Sequence, residues 1–410
     1  MNLKRLLTLA GVSILVVVLS VGAFAQTIVL DFPSWQAGEP GTKDWWNAVI
    51  ADFEAKHPNV KIDFYEIPYN SFHNRMMVRY AAGDPPDIAH LPTFYLPEFV
   101  ANGWIEPLDG YLAATDIVEN WTSLQDYTVI DGNTYGVLIL AYAMQLWVNT
   151  QMFDEVGVAI PTNPQEFEEA CLAFADAGYF GFATSTTATT HNYRNVSVFV
   201  ADEYQHWIKD GRLNRERVTE VLQMFKRLID AGAIPVGLDG HGMRQYFYEG
   251  KAAMTMDGTW FISSIREAAP PELQPYLLPA TVPSFGAPVG GVSNSLSIAK
   301  GVSDEKKQLA WEFIKLACSP EWQRQYAIIT DNPPARSGVL TAEDFEESPY
   351  LKIFAEDAAV AVNFIPPEMK INYPRFEAEA LQMLERIFLQ NVDIGTALND
   401  FEAAILGLMD

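Results

Sequence analysis

Apolar positions along the chain switch repeatedly between a period of two and a helical period, and the alternation predicts strands and helices in turn. Thr27–Phe32 (TIVLDF) reads as a first strand, and in Thr42–His57 the residues Trp46, Val49, Ile50 and Phe53 share one helical face. Val60, Ile62 and Phe64 point to one side of a second strand. Ser71–Ala82 is a helix stopped by Gly83, Asp87–Leu91 is a third strand behind Pro85 and Pro86, and a helix from about Leu96 stops at Asn102 and Gly103.

After a turn at Asp131 and Gly132, the apolar run Tyr135–Val148 is too long for one ordinary strand and lacks helical charge punctuation. A strand that leaves one domain and continues into another has this form. A second region follows, with a helix from Pro164 to Ala177, a strand at Tyr179–Ala183, helices at Arg217–Ala231 and Met243–Glu249, and a strand at Ala252–Met256. The chain turns again at Gly290 and Gly291 into a strand alternating Ser293, Ser295 and Ser297 with Leu296 and Ile298, and helices fill the remainder. Strands alternating with helices imply an α/β class built on a mostly parallel sheet.

The amino terminus pairs Lys4 and Arg5 with an apolar run, Leu6–Val21, and ends in Ala23, Phe24, Ala25. That is the form of a secretory signal peptide over residues 1–25. The run falls short of the roughly 20 residues a bilayer crossing needs. No cysteine follows the cleavage site to take a lipid, so the expected location is the periplasm, as a free protein. Cleavage leaves about 385 of the 410 residues, a length that divides into two domains because single cores stop growing near ~250 to 300 residues. Cys171 and Cys318 fall inside helical patterns with no zinc or redox spacing, and are expected as buried thiols rather than a disulfide. The formal charge is −25, and loss of Lys4 and Arg5 lowers it further, which disfavours nucleic acid and anionic lipid as partners and favours a neutral ligand.

Several segments resemble the family 1 extracellular solute-binding proteins, the sugar-binding components of ABC transporters typified by maltose-binding protein. They are Phe53–Phe64 (FEAKHPNVKIDF), Ala81–Leu91 (AAGDPPDIAHL), Val100–Asp109 (VANGWIEPLD), Asp131–Ile139 (DGNTYGVLI), Tyr248–Trp260 (YEGKAAMTMDGTW), and Gly290–Gly301 followed by Gln308–Ala327. The resemblance implies a two-lobed periplasmic binding protein fold of type II, with the ligand cleft between lobes joined by hinge strands. Carried onto this chain, the first lobe is 27–138 plus 292–336 and the second 139–291 plus 337–410. It also implies a non-enzymatic monomer that closes on a sugar and is read by the membrane subunits of an importer.

Sugar recognition needs an aromatic face against the C–H side of a pyranose and polar groups aimed at its hydroxyls. Trp260 follows Asp257 and Gly258 in a strand-to-helix turn, where sugar-binding relatives place a cleft tryptophan; packing against the next helix is its structural alternative. Trp35 lies in the polar, Gly-rich SWQAGEP. Asn70, Thr93 and Phe94 follow strands of the first lobe, where open α/β sheets bind ligands, although Asn70 could simply cap a helix. His191, Asn192 and Tyr193 follow the polar run TSTTATT, as either a cleft wall or an exposed loop. Gly290 and Gly291 offer close backbone approach to a ligand or serve a tight turn. Asn294 and Arg336 lie near the crossings, Arg336 with acidic neighbours as alternative partners, and Tyr142 and Tyr373 are candidate second-lobe aromatics. The maltose-binding type carries charged side chains where this chain has Thr93, Phe94 and Tyr95, so substrate identity does not transfer.

A secreted carbohydrate-active enzyme would need two opposed carboxylates. No GxSxG, HExxH, Walker or Cys/His metal motif occurs, no cofactor or metal is expected, and acidic stretches such as Glu343–Glu347 read as solvated faces. Polyamine and polyol phosphate remain alternative ligands; no cationic cluster near the expected cleft is evident, which counts against phosphate.

Overall fold

The computed structural model describes residues 27–39, 41–291 and 294–408. The leader read in 1–25 lies outside the described residues, as does Ser293. Ile28–Ser34 pairs in parallel with Val60–Glu66, from Ile28 opposite Val60 to Ser34 opposite Glu66. The helix Thr42–Lys56 connects the two and buries Trp45, Trp46, Val49 and Phe53. Its apolar face is the expected one shifted by part of a turn, because Trp45 takes the buried place expected of Ile50.

The apolar run after Asp131 is a crossing made in three steps. Val137–Leu138 pairs with Asn294–Ile298, which also pairs with Ile88–Pro92. Tyr142–Ala143 joins a separate three-stranded sheet with Val289–Gly291 and Val362–Asn363. Gln145–Asn149 then enters a four-stranded sheet, lying between Leu277–Thr281 and Ala252–Asp257, with Phe180–Ala183 at the far edge. One continuous apolar segment thus serves three sheets, and Val289–Gly291 followed by Asn294–Ile298 returns antiparallel beside it.

Those returning strands make the sheets mixed rather than mostly parallel. Parallel pairing occurs between Ile28–Ser34 and Val60–Glu66, between Ala252–Asp257 and Phe180–Ala183, and between Val289–Gly291 and Val362–Asn363. The strands that carry the chain between lobes pair antiparallel because each crossing must be matched by one in the opposite sense. The helix expected at Ser71–Ala82 runs Tyr69–Ala81, and that expected at Met243–Glu249 starts earlier, at Gly240, where the Asp239 side chain caps it.

Cys171 and Cys318 are buried free thiols. In the acidic helix Ala342–Glu347, Asp344 is buried rather than solvated, since it closes a capping box with Thr341 and pairs with Arg324. Among the described residues no helix is long and apolar enough to cross a membrane.

Candidate ligand-binding cleft

Where Ile28–Ser34 ends, the Ser34 hydroxyl accepts from the Gln36 amide at 3.0 Å and shares a 2.8 Å hydrogen bond with His90 Nδ1. These bonds bend the chain into the short 3-10 turn Trp35–Gly38. The Trp35 indole stacks on the His90 ring at 4.2 Å and meets Phe72 and Tyr69 edge-on. Trp35 lines the cleft but is only 5% exposed. Polar flanking residues suggested an open loop; in fact Ser34 binds His90, Gln36 accepts from Trp46 Nε1 at 2.8 Å, and the indole is left among rings.

The opposite wall is built by Asp257–Trp260. Asp257 Oδ1 accepts from the Gly258 amide and Oδ2 from Arg244 Nε at 2.6 Å. A β-carbon on Gly258 would stand 2.2 Å from the Trp260 ring, so the indole folds back over a glycine. Thr259 Oγ1 donates to Asn332 Oδ1, tying the turn down. Trp260, half-buried, meets Tyr142 edge-on at 4.7 Å. Tyr142 belongs to the short strand between the lobes, so the two rings form a continuous aromatic corner. The cavity they share measures about 430 Å³ and is lined also by Phe94, Asn294 and His191.

Two guanidinium groups reach this cavity. Arg244 projects from the helix Gly240–Tyr248 and is anchored by Asp257, whose side chain is 1% exposed. Burial pushes the Asp257 carboxyl up, but Arg244 and His191 outweigh it and hold it below the usual range. Arg194 lies one turn beyond His191 on the helix Thr190–Val200, so the two share a face. Its guanidinium stands 5.3 Å from the Phe364 ring and 5.9 Å from that of Phe94, and its charge acts on the phenol of Tyr69, which also lines the cavity. Burial pushes the His191 ring down to about 4, leaving it neutral. Glu39 and Glu267 add carboxylates to the lining. Burial pushes Glu39 up to about 7, with Arg244 opposing and Glu66 reinforcing.

Of the positions singled out in the sequence, Trp35, Phe94, Tyr142, His191, Trp260 and Asn294 line this one cavity. Others lie behind it. Thr93 is 2% exposed, and buried Asn192 donates through its amide to the Thr187 carbonyl. Tyr373 is buried with its hydroxyl on Glu377 Oε1 at 2.8 Å. Arg336 pairs with Asp116 and covers Trp121, its acidic alternative. Gly291 is covered by the Tyr142 phenol and presents no backbone to the cavity. Asn70 falls in the first turn of Tyr69–Ala81, and its side chain lies outside the described residues.

The sequence profile of bacterial extracellular solute-binding proteins matches residues 39–324. The chain belongs to that family. Among solved structures, the GacH receptor of Streptomyces glaucescens superposes with a TM-score of 0.81 at 19% identity, covering 93% of this chain and 98% of that one. The sugar-binding protein MalE from Xanthomonas citri gives 0.79 at 19%, covering 93% and 97%. A maltotriose-binding protein of Pyrococcus abyssi is 21% identical over 331 residues, 78% of this chain and 70% of the relative. The two superpositions carry the two-lobed fold.

In this solute-binding protein the cationic pair Arg194 and Arg244 overturns the expectation that no cations gather at the cleft. Neither was singled out in the sequence. Arg194 carried no distinguishing signal in HNYRN, because the burial of Asn192–Val200 emerges only in the folded helix. Glu39 and Glu267 sit among 52 acidic residues and had no distinguishing signal.

Proposed function

We propose that this solute-binding protein captures a mono- or short oligosaccharide outside the inner membrane and delivers it to an ABC importer without transforming it. The observation that carries this reading is the aromatic corner of Trp260 and Tyr142 in a cavity lined also by Asn294 and Ser263, polar groups of the kind that meet hydroxyls. A pyranose presents apolar C–H faces to rings and hydroxyls around its rim, and such a wall serves both. Residues 1–25 act as the export leader, and the mature monomer works in the periplasm. Lobes of 27–138 plus 292–336 and 139–291 plus 337–410 close by bending at the short strands Tyr142–Ala143 and Val289–Gly291, and a ligand touching both lobes favours closure.

A polyamine is the second reading. Glu39 beside Trp35 and Glu267 beyond Trp260 are carboxylates of the kind a polycation seeks. Arg194 and Arg244 in the same cavity repel it, and the sugar reading is preferred for that reason.

Thermal unfolding of the ligand-stripped protein against sugars, polyols, polyamines and sugar phosphates tests this. A ligand at ~100 times its dissociation constant adds roughly 2.7 kcal/mol of stability. A raised Tm with one sugar series, without product formation, is expected. A rise only with polyamines overturns the sugar assignment, and turnover of a sugar overturns the transport role.

A further inference from the structure

Among the cations of the cavity, Arg194 alone forms no ion pair among the described residues. Arg244 is anchored by Asp257 at 2.6 Å, whereas Arg194 is only 8% exposed and its Nε has no hydrogen-bond partner among the described residues. The groups around it are the phenol of Tyr69, the rings of Phe94 and Phe364, and, acting through space, Tyr142, Tyr373 and Glu377. Glu377 is a poor counter-ion. Arg194 acts on it through space, but burial outweighs that attraction and pushes its carboxyl up, and it already accepts from the Tyr373 hydroxyl at 2.8 Å.

We propose that the natural ligand is an acidic sugar, a hexuronic acid or its short oligomer, and that Arg194 receives its carboxylate. The inference rests on the sugar reading above and narrows it. A neutral hydroxyl can satisfy an idle N–H but leaves a buried charge uncompensated, and buried charges are costly until paired. A carboxylate supplies the charge together with two acceptors that match the guanidinium fork. Phe94 and Phe364 flank the fork and limit its orientations. A phosphate would bring a second negative charge into a cavity that already holds Glu39 and Glu267, which favours the singly charged carboxylate. The ring of such a ligand would rest on the corner of Trp260 and Tyr142, with hydroxyls directed at Asn294 and Ser263.

The test is calorimetric titration of the ligand-stripped protein with stereochemically matched pairs: glucuronate and glucose, galacturonate and galactose, mannuronate and mannose, and the linked dimers of each. One uronate is expected to bind roughly 10- to 100-fold more tightly than its neutral partner, and Arg194→Gln is expected to remove that preference. A neutral sugar that binds as well as its uronate overturns the acidic assignment and leaves the sugar reading standing. Tighter binding of the matched sugar phosphates also overturns it. Silence from every sugar and uronate overturns both readings together. Retention of the uronate preference by a folded Arg194→Gln protein removes Arg194 as the receiving group. The wild-type comparison decides the ligand class even where that variant does not fold.

Discussion

The phenol of Tyr142 occupies the space that a side chain on Gly291 would need: a β-carbon built there would stand 1.7 Å from Tyr142 Oη. Beside it, a β-carbon on Gly290 would stand 2.7 Å from the Tyr142 carbonyl oxygen. The glycine pair therefore makes room for the tyrosine that forms one side of the aromatic corner. Gly291→Ala is expected to cost about 1–3 kcal/mol, the range of overpacking, and to weaken ligand binding by displacing the ring. Chemical denaturation in a double-mutant cycle checks the cause. With Tyr142→Ala in the background the cost of Gly291→Ala should largely vanish, and a persistent cost would mean the clash is not with the ring.

Trp260 gives the most direct test of the cleft. It is half-buried, its indole covers Gly258, and its neighbour Thr259 holds the turn through Asn332 without help from the ring. Trp260→Ala should therefore keep the fold and lower sugar affinity by about tenfold or more, because loss of an aromatic face removes roughly 1.4 kcal/mol or more of binding. Unchanged affinity by calorimetry would take Trp260 out of the site.

Much of this architecture was legible in the sequence, and the unequal success has physical causes. The run Tyr135–Val148 declared a crossing because no single strand or helix explains its length and lack of charge. Trp260 was legible because Asp257 and Gly258 end a strand beside it. Trp35 lines the cavity, but its environment was misjudged, since polar flanking residues bind His90 and Trp46 inside the protein rather than water. Tyr373, Asn192 and Arg336 were of the right chemical type but point behind the wall. Periodicity assigns a residue to a face, and which side of an interior layer that face meets depends on partners distant in sequence, such as Asp116 for Arg336. Arg194 went unread for the same reason: only folding brings Phe94 and Tyr69 around it.

The two cysteines yield a simple check on the core. Both thiols are buried, and burial pushes each well above its ordinary value, so the reactive thiolate is scarce. Cys171 is further shielded by the strand at Gly181, where a β-carbon would stand 2.5 Å from the Cys171 α-carbon. A thiol reagent should label neither cysteine in the native protein and both after unfolding in denaturant. Labelling at the native stage would contradict the packing of those helices, and failure to label after unfolding without reductant would reveal a disulfide.

Acid stability follows from three histidines held neutral. Burial is the leading cause at each, pushing His90 down to about 3 and His191 and His206 to about 4. Unfolded, each would titrate near 6.5. The folded state thus binds fewer protons than the unfolded chain between those values, and stability present above about pH 6.5 is lost as pH falls through that window, by up to about 1.4 kcal/mol per unit for each ring. Glu39 runs the other way. With its carboxyl pushed up to about 7 it binds more protons folded than unfolded, so its contribution falls as pH rises from about 4.5 to 7. Burial pushes the Glu377 and Asp357 carboxyls up as well, so these groups oppose the three rings in the same sense as Glu39, and the net slope is the difference between the two sets. Below about 4, Asp257 and Asp344, both held below the usual carboxylate range in the folded protein, add to the loss as they protonate. Denaturant midpoints measured at pH 7.5, 6.0 and 5.0 isolate one ring: His206→Gln should lessen the loss of stability on acidification by about one proton's slope relative to the wild type. An identical slope in the variant would mean that the His206 ring is already solvated and its contact with the Asn363 carbonyl lost.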